Sequence, residues 1–109
     1  MDPKTLFDEK LPAGLVRNPQ RARELAAIFA FHVTGEGGGD WTVDLKADPP
    51  AVKPQLAANA DCTVELSSED LAAIIGDFGQ AIQLYFAGRV KIAGDVTLAT
   101  RLQAIFALV

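Results

Sequence analysis

Two periods alternate along this chain. From Ile28 to Thr34, Phe29, Phe31 and Val33 interleave with Ala30, His32 and Thr34, a period of two that predicts a half-buried strand. Trp41 to Lys46 repeats the pattern, with Trp41, Val43 and Leu45 against Thr42, Asp44 and Lys46. Cys62, Val64 and Leu66 alternate with Thr63 and Glu65 in a further strand, and Val90 and Ile92 with Arg89 and Lys91 in a last one. Ala51 to Leu56 reads as a short edge strand weakened by Pro54, since proline gives no donor to a ladder.

The helical period fills the remaining stretches. Thr5 to Leu11 predicts a short helix carrying Leu6, Phe7 and Leu11 on one side, interrupted by Pro12 and Gly14. Asn18 followed by Pro19 starts a second helix, with Asn18 as its cap, that runs to about Ala27. Ser67 and Asp70 form a capping-box-like pair ahead of Leu71, Ile74, Ile75 and Phe78, which share a helix face that Gly79 ends. Gln80 to Ala87 gives another short helix closed by Gly88. Gly94 permits a sharp turn, and Asp95 can cap a final helix with Leu98, Leu102, Ile105, Phe106 and Val109 on one face.

Short loops join the early strands, so they pair antiparallel at first. The element order therefore defines an α+β fold, one sheet with helices over one face. At 109 residues and 50% hydrophobic, the chain suits a single domain, 1–109, with a real core and a helical extension over 1–17. No internal repeat, linker or low-complexity tail stands out.

Charge and cysteine usage narrow the function. A net charge of -4 with scattered basic residues argues against a nucleic-acid binder, which needs clustered Lys and Arg. Arg17, Arg21 and Arg23 are the one local basic group and read as a solvated helix face. A single cysteine, Cys62, rules out an internal disulfide or a multi-cysteine metal site. The acidic, proline-bearing start has no apolar h-region, so no signal peptide is expected, and Met1 reads as the natural start. The apolar runs Ala26 to Phe31 and Ala104 to Val109 are too short to span a bilayer.

Candidate chemistry is thin. The run from Gly35 to Asp40 is glycine-rich, but it opens a strand, whereas a phosphate-binding loop opens a helix. His32 lies on the face opposite Phe29, Phe31 and Val33 and reads as a solvent-facing strand residue. Cys62 reads as a small core residue, and Ser67 and Ser68 as cap residues. Asp40, Asp44 and Asp48 are spread over a loop and a polar strand face, with no mark of an acid/base pair. Phe29, Phe31, Trp41, Phe78, Tyr85, Phe86 and Phe106 come from separate elements whose apolar faces can converge, on a filled core or on a hollow one.

Four segments carry a family resemblance: Phe29 to Gly35, Trp41 to Asp48, Ala60 to Ile74, and Ala87 to Ile105. In that order and spacing the chain resembles the sterol carrier protein type 2 lipid-binding domain over roughly Leu25 to Leu108. The resemblance implies a five-stranded, mostly antiparallel sheet with helices over one face and an apolar tunnel between them. It implies a non-catalytic intracellular carrier of fatty acid, fatty acyl-CoA, sterol or a similar lipid, without a cofactor or metal. Carried onto this chain, the tunnel wall is Phe29, Phe31, Val33, Trp41, Val43 and Leu45 from the sheet. Leu71, Ile74, Ile75, Phe78, Ile82 and Phe86 add the middle helices, and Leu98, Leu102, Ile105 and Phe106 the last. The Gly-Lys-Leu-Asn-Pro run of relatives is replaced by Gly76, Asp77, Phe78, Gly79 and Gln80. The chain ends in Ala107, Leu108 and Val109 where some relatives carry a peroxisomal Ser-Lys-Leu, so a cytoplasmic, prokaryotic setting is expected.

A lipid ligand, with transient membrane contact to load and unload it, is the expected partner; nucleic acid is not. Terminal helices tend to fray, which makes the last helix the expected lid. Two alternatives stand beside the carrier. One is an accessory lipid-binding factor for isoprenoid quinone synthesis. The other is a structural or dimerisation module with a filled core.

Overall fold

The computed structural model describes residues 2–109, so Met1 lies outside the described residues. The chain opens with α1 (Pro3–Thr5), capped by Asp2, whose carboxylate accepts from the Thr5 amide at 2.7 Å. A π-helical turn, Leu6–Lys10, leads into α2 (Leu11–Arg17), and α3 (Pro19–Leu25) follows. Pro12 was expected to interrupt the first helix, yet helical structure continues through it. The reason is local: the wider turn just ahead of Pro12 closes with the Leu11 amide on the Leu6 carbonyl, which loosens the ladder where the proline ring would crowd it. Asn18 also departs from expectation. Its side chain does not cap α3 but donates back to the Gly14 carbonyl at 3.3 Å, closing the helix before it. Pro19 still starts α3.

Strands β1 (Ile28–Thr34) and β2 (Gly39–Asp44) form a hairpin through the glycine-rich loop. A short β3 (Ala51–Lys53) lies at the edge, followed by β4 (Cys62–Ser67), α4 (Ser68–Gly76), α5 (Gly79–Phe86) and β5 (Lys91–Gly94). The sheet order is β3-β2-β1-β4-β5. All neighbours are antiparallel except β1 and β4, which run parallel. This is the expected α+β class, a mostly antiparallel five-stranded sheet.

The last helix divides in two. Val96–Arg101 is a 3₁₀ turn and only Leu102–Phe106 is α-helical, here α6. The Asp95 carboxylate caps the start, accepting from the Thr97 amide at 3.0 Å. Val96, Thr97 and Thr100 are β-branched and weak α-formers, which accounts for the tighter turn at that end.

Register puts one continuous apolar face on the sheet. Phe29 pairs with Val43 and Cys62, Phe31 with Trp41 and Val64, and Val33 with Leu66. Val64 in turn pairs with Ile92. Paired residues point to the same side of a sheet, so these side chains form a single floor. The opposite face carries His32, Glu65 and Lys91 in solvent. Thr42 on that face is buried, because the chain after β3 folds over it: its hydroxyl donates to the Gln55 carbonyl at 2.6 Å and accepts from the Ala57 amide at 2.9 Å.

Candidate lipid-binding cavity

The floor is covered unevenly. Over β1 and β2 the N-terminal helices fill the space with Leu6, Phe7, Leu11 and Leu15, all buried. Phe7 stacks on Trp41 with ring centroids 4.8 Å apart, and lies 5.0 Å from the Phe31 ring. The indole Nε1–H of Trp41 finds its partner in Asp8 at 3.1 Å. Residues 1–17, expected as an extension, thus contribute core side chains between Leu6 and Leu15.

Over β4 and β5 the space is not filled. A cavity of about 520 Å³ opens between these strands, α4, α5 and the C-terminal segment. Its size falls in the range of small-molecule sites, ~300–1,000 Å³. Its floor is Phe31, Val64, Leu66, Val90 and Ile92. Leu71, Ile74 and Phe78 form one wall, and Ala99, Leu102 and Phe106 another. Phe106 stands 6.1 Å from the Phe31 ring and 6.4 Å from the Phe78 ring, so it links the floor to the opposite wall. Ile82, Tyr85, Phe86 and Val96 line the cavity yet are exposed, Phe86 by 81%, and so mark its mouth.

Local sequence explains the hollow. α5 is Gly-Gln-Ala-Ile-Gln-Leu-Tyr-Phe, with large apolar residues and no charge, yet it buries no residue fully, and only Ala81 and Leu84 pack half-buried against the core. The C-terminal segment, by contrast, is held down by Leu102, Ile105 and Leu108, each buried. The Leu108 carbonyl accepts from Arg17 at 3.4 Å, and Arg101 donates to the Leu25 carbonyl at 3.2 Å. The C-terminal helix is therefore better secured than its terminal position predicts, and α5 is the loosely held wall.

The sixteen residues carried over from the family resemblance separate into two groups. Phe31, Leu71, Ile74, Phe78, Ile82, Phe86, Leu102 and Phe106 line the cavity. Phe29, Val33, Trp41, Val43, Leu45, Ile75, Leu98 and Ile105 do not; they belong to the packed core or its margin. For Trp41 the reason is visible: Phe7 already occupies the space above it. Val64, Leu66, Tyr85, Val90, Ile92, Val96, Ala99, Thr100 and Gln103 line the cavity without having been expected there. The parallel pairing of β1 with β4, which sets Val64 beside Phe31, was the missing information.

Polar groups are few in this space. Thr100 and Gln103 line it one turn apart, and Tyr85 brings a phenol to the mouth. Among the described residues no Lys or Arg lines it, and no buried side-chain polar atom lacks a partner. Nor is there, among them, a group of three His, Cys, Asp or Glu suited to a metal ion. Cys62 lies under the helices, where burial first and then the carboxylates Asp95 and Asp61 push its thiol pKa up, away from thiolate chemistry. His32 is on the other side of the sheet from Cys62, so the two cannot act as base and nucleophile.

A twisted sheet with one filled and one hollow half defines an α+β domain built around an apolar cavity. The chain belongs to the SCP-2 sterol transfer family, whose family model matches residues 9–107. Sterol carrier protein 2 of Rattus norvegicus is 36% identical over 86 residues, 76% of this chain. The match spans only 16% of that relative's length. Sterol carrier protein 2 of Yarrowia lipolytica, solved without ligand, superposes with a TM-score of 0.79 at 23% identity, covering 94% of this chain and 88% of that one. Palmitated SCP2L2 of Aedes aegypti superposes with a TM-score of 0.73 at 26% identity, covering 97% and 95%. No helix among the described residues is long and apolar enough to cross a membrane.

Proposed function

We propose that this chain is a non-catalytic carrier that holds one apolar lipid in the cavity between β4–β5 and α4, α5 and α6. Fatty acid, fatty acyl-CoA and sterol-like molecules are the candidate cargo class. The observation that carries the reading is the 520 Å³ apolar cavity in a chain of this family. The palmitated relative supports it. The cavity also favours a carrier over a structural module with a filled core.

The energetics fit a reversible carrier. An acyl chain with ~14 buried methylenes gains about 11 kcal/mol gross at ~0.8 kcal/mol each. Association and ordering remove about half of it, which leaves about 5 kcal/mol and an affinity of roughly 0.1 mM order. Such a ligand leaves fast enough to be delivered. The cytoplasm is the proposed setting, with loading through the exposed apolar mouth during brief membrane contact.

Organic extraction of the purified protein, followed by mass spectrometry, tests the proposal. A stoichiometric acyl, sterol-like or prenyl species supports a carrier, and a prenyl species points to quinone synthesis. An empty protein that also takes up no fluorescent fatty acid defeats it.

A further inference from the structure

Two segments flank the mouth of the cavity, α5 on one side and the 3₁₀ turn Val96–Arg101 with α6 on the other. They are tied down very differently. The 3₁₀ turn is fastened at both ends: the Asp95 amide donates to the Asp61 carbonyl at 2.9 Å, and the Arg101 side chain reaches Leu25. α6 follows with Leu102 and Ile105 buried, and Leu108 beyond it sits so close to Gly14 that a Cβ there has no room. The backbone of α5 instead bonds to its own flanks: Gln80 to Asp77, Ala81 to Phe78, and the Arg89 and Val90 amides back to Leu84. Ala81 and Leu84 pack half-buried, while Ile82, Tyr85 and Phe86 line the mouth exposed.

The flanks of α5 can bend. Asp77, between α4 and α5, is extended at φ −152° and ψ 102°, so the two helices do not run on as one. At the other end Gly88 holds φ +78°, the left-handed region that favours glycine. Just outside these flanks the chain is fixed. Leu71 and Ile74 of α4 are buried, as is Val90, and Arg89 is clamped to Asp70. A stapled base under a loosely held helix is the arrangement of a hinged lid.

We propose that α5 is the gate of the cavity: it swings outward about Asp77 and Gly88 to admit or release the lipid. The terminal helix, expected as the lid from its position, then serves as a fixed wall. This rests on the carrier reading and says how the cargo enters. Ile82, Tyr85 and Phe86 close over the guest once it is inside.

Stopped-flow uptake and release of cis-parinaric acid, a naturally fluorescent fatty acid, test the gate. Leu84 does not line the cavity, so L84A loosens α5 without removing a cavity side chain. It should raise the rates of uptake and release together, by about threefold or more. L108A loosens the seat of the C-terminal helix instead, and should leave both rates within about twofold. L84A without effect, or L108A accelerating as much as L84A, overturns the gate but leaves the carrier reading standing, because the probe still binds. A protein that takes up no probe defeats both. Hydrogen exchange on the wild-type protein needs no variant to fold. Palmitate should slow exchange more in α5 than in α6; equal or greater slowing in α6 overturns the proposal.

Discussion

Arg89 holds Asp70 with two bonds, Nη2 at 2.7 Å from Oδ1 and Nε at 3.1 Å from Oδ2. Asp70 is buried in the first turn of α4, while Arg89 comes from the turn that leads into β5. The pair thus fastens the cavity's α4 wall to its floor. It also explains why the expected capping box is half made: the Asp70 amide donates to Ser67 Oγ at 3.1 Å, but the Asp70 carboxylate is claimed by Arg89.

Removing the arginine leaves a buried carboxylate without its partner. R89A should lower stability by about 2–3 kcal/mol, somewhat below the range for a fully buried pair because Arg89 is itself half exposed. Lysine cannot reproduce the fork, so R89K should recover only part of the loss. Urea unfolding measures both; an unchanged midpoint for R89A would show that the pair is idle.

Gly14 is where the two ends of the chain meet. A Cβ at that position would sit 1.9 Å from the Leu108 carbonyl oxygen, which is backbone and cannot swing aside. G14A should therefore destabilise by about 2 kcal/mol or more through overpacking. At Gly76 an added Cβ meets nothing within 4 Å, so G76A should be neutral or stabilise by up to about 1 kcal/mol. Thermal melts of the two variants should move in opposite directions or at least differ widely.

The filled and hollow halves should respond differently to mutation. F7A removes a fully buried ring and should cost about 3–5 kcal/mol. F86A removes a ring that is 81% exposed and should stay within about 0.5 kcal/mol. Adding bulk to the cavity with A99F should abolish fluorescent fatty-acid uptake while holding stability level or raising it by about 1 kcal/mol. Retained uptake in A99F would place the ligand elsewhere.

The outer face of the sheet should make stability pH-dependent. His32 Nδ1 bonds Asp40, and its Nε2 lies 3.8 Å from Glu65, which also faces Lys91. The hydrogen bond to Asp40, aided by the two negative charges, raises the His32 pKa above its ordinary 6.5 despite some desolvation. The proton is thus held more tightly in the folded state. Its stabilising contribution is full below the unfolded pKa and disappears as pH rises through the folded one. H32Q should lose more stability relative to wild type at mildly acidic pH than at alkaline pH; a pH-independent difference would contradict this. Asp61 behaves oppositely. The Ile28 amide, and then Lys46, lower its pKa below 3.8, so its contribution is present above that value and lost on further acidification.

Much of the fold was readable because burial imposes a period. β1 was legible to the residue, since Phe29, Phe31 and Val33 must share a face, and the Gly94–Asp95 turn announced the C-terminal segment through its cap. What depended on partners far along the chain was not legible. Nothing in residues 28–34 or 62–67 says that they pair in parallel, and that pairing decides which apolar side chains share the floor. Pro12 misled because a proline signals a break only when the preceding turn cannot widen. The hollow is the hardest feature to read: Trp41 and Val64 stand on the same floor with the same alternation. Only the stacking of Phe7 on Trp41 shows that one lies under a plug and the other under open space.

A helix that holds on through only the half-buried Ala81 and Leu84 has little to lose by opening. α5 should unfold locally at small expense in the empty protein, and its Ile82, Tyr85 and Phe86 are then what a protease meets first. A guest beneath it would supply the missing contacts and raise stability by RT ln(1 + [L]/Kd). Vacant chains would thereby be degraded ahead of occupied ones, and the amount of this protein in a cell would track the supply of its lipid.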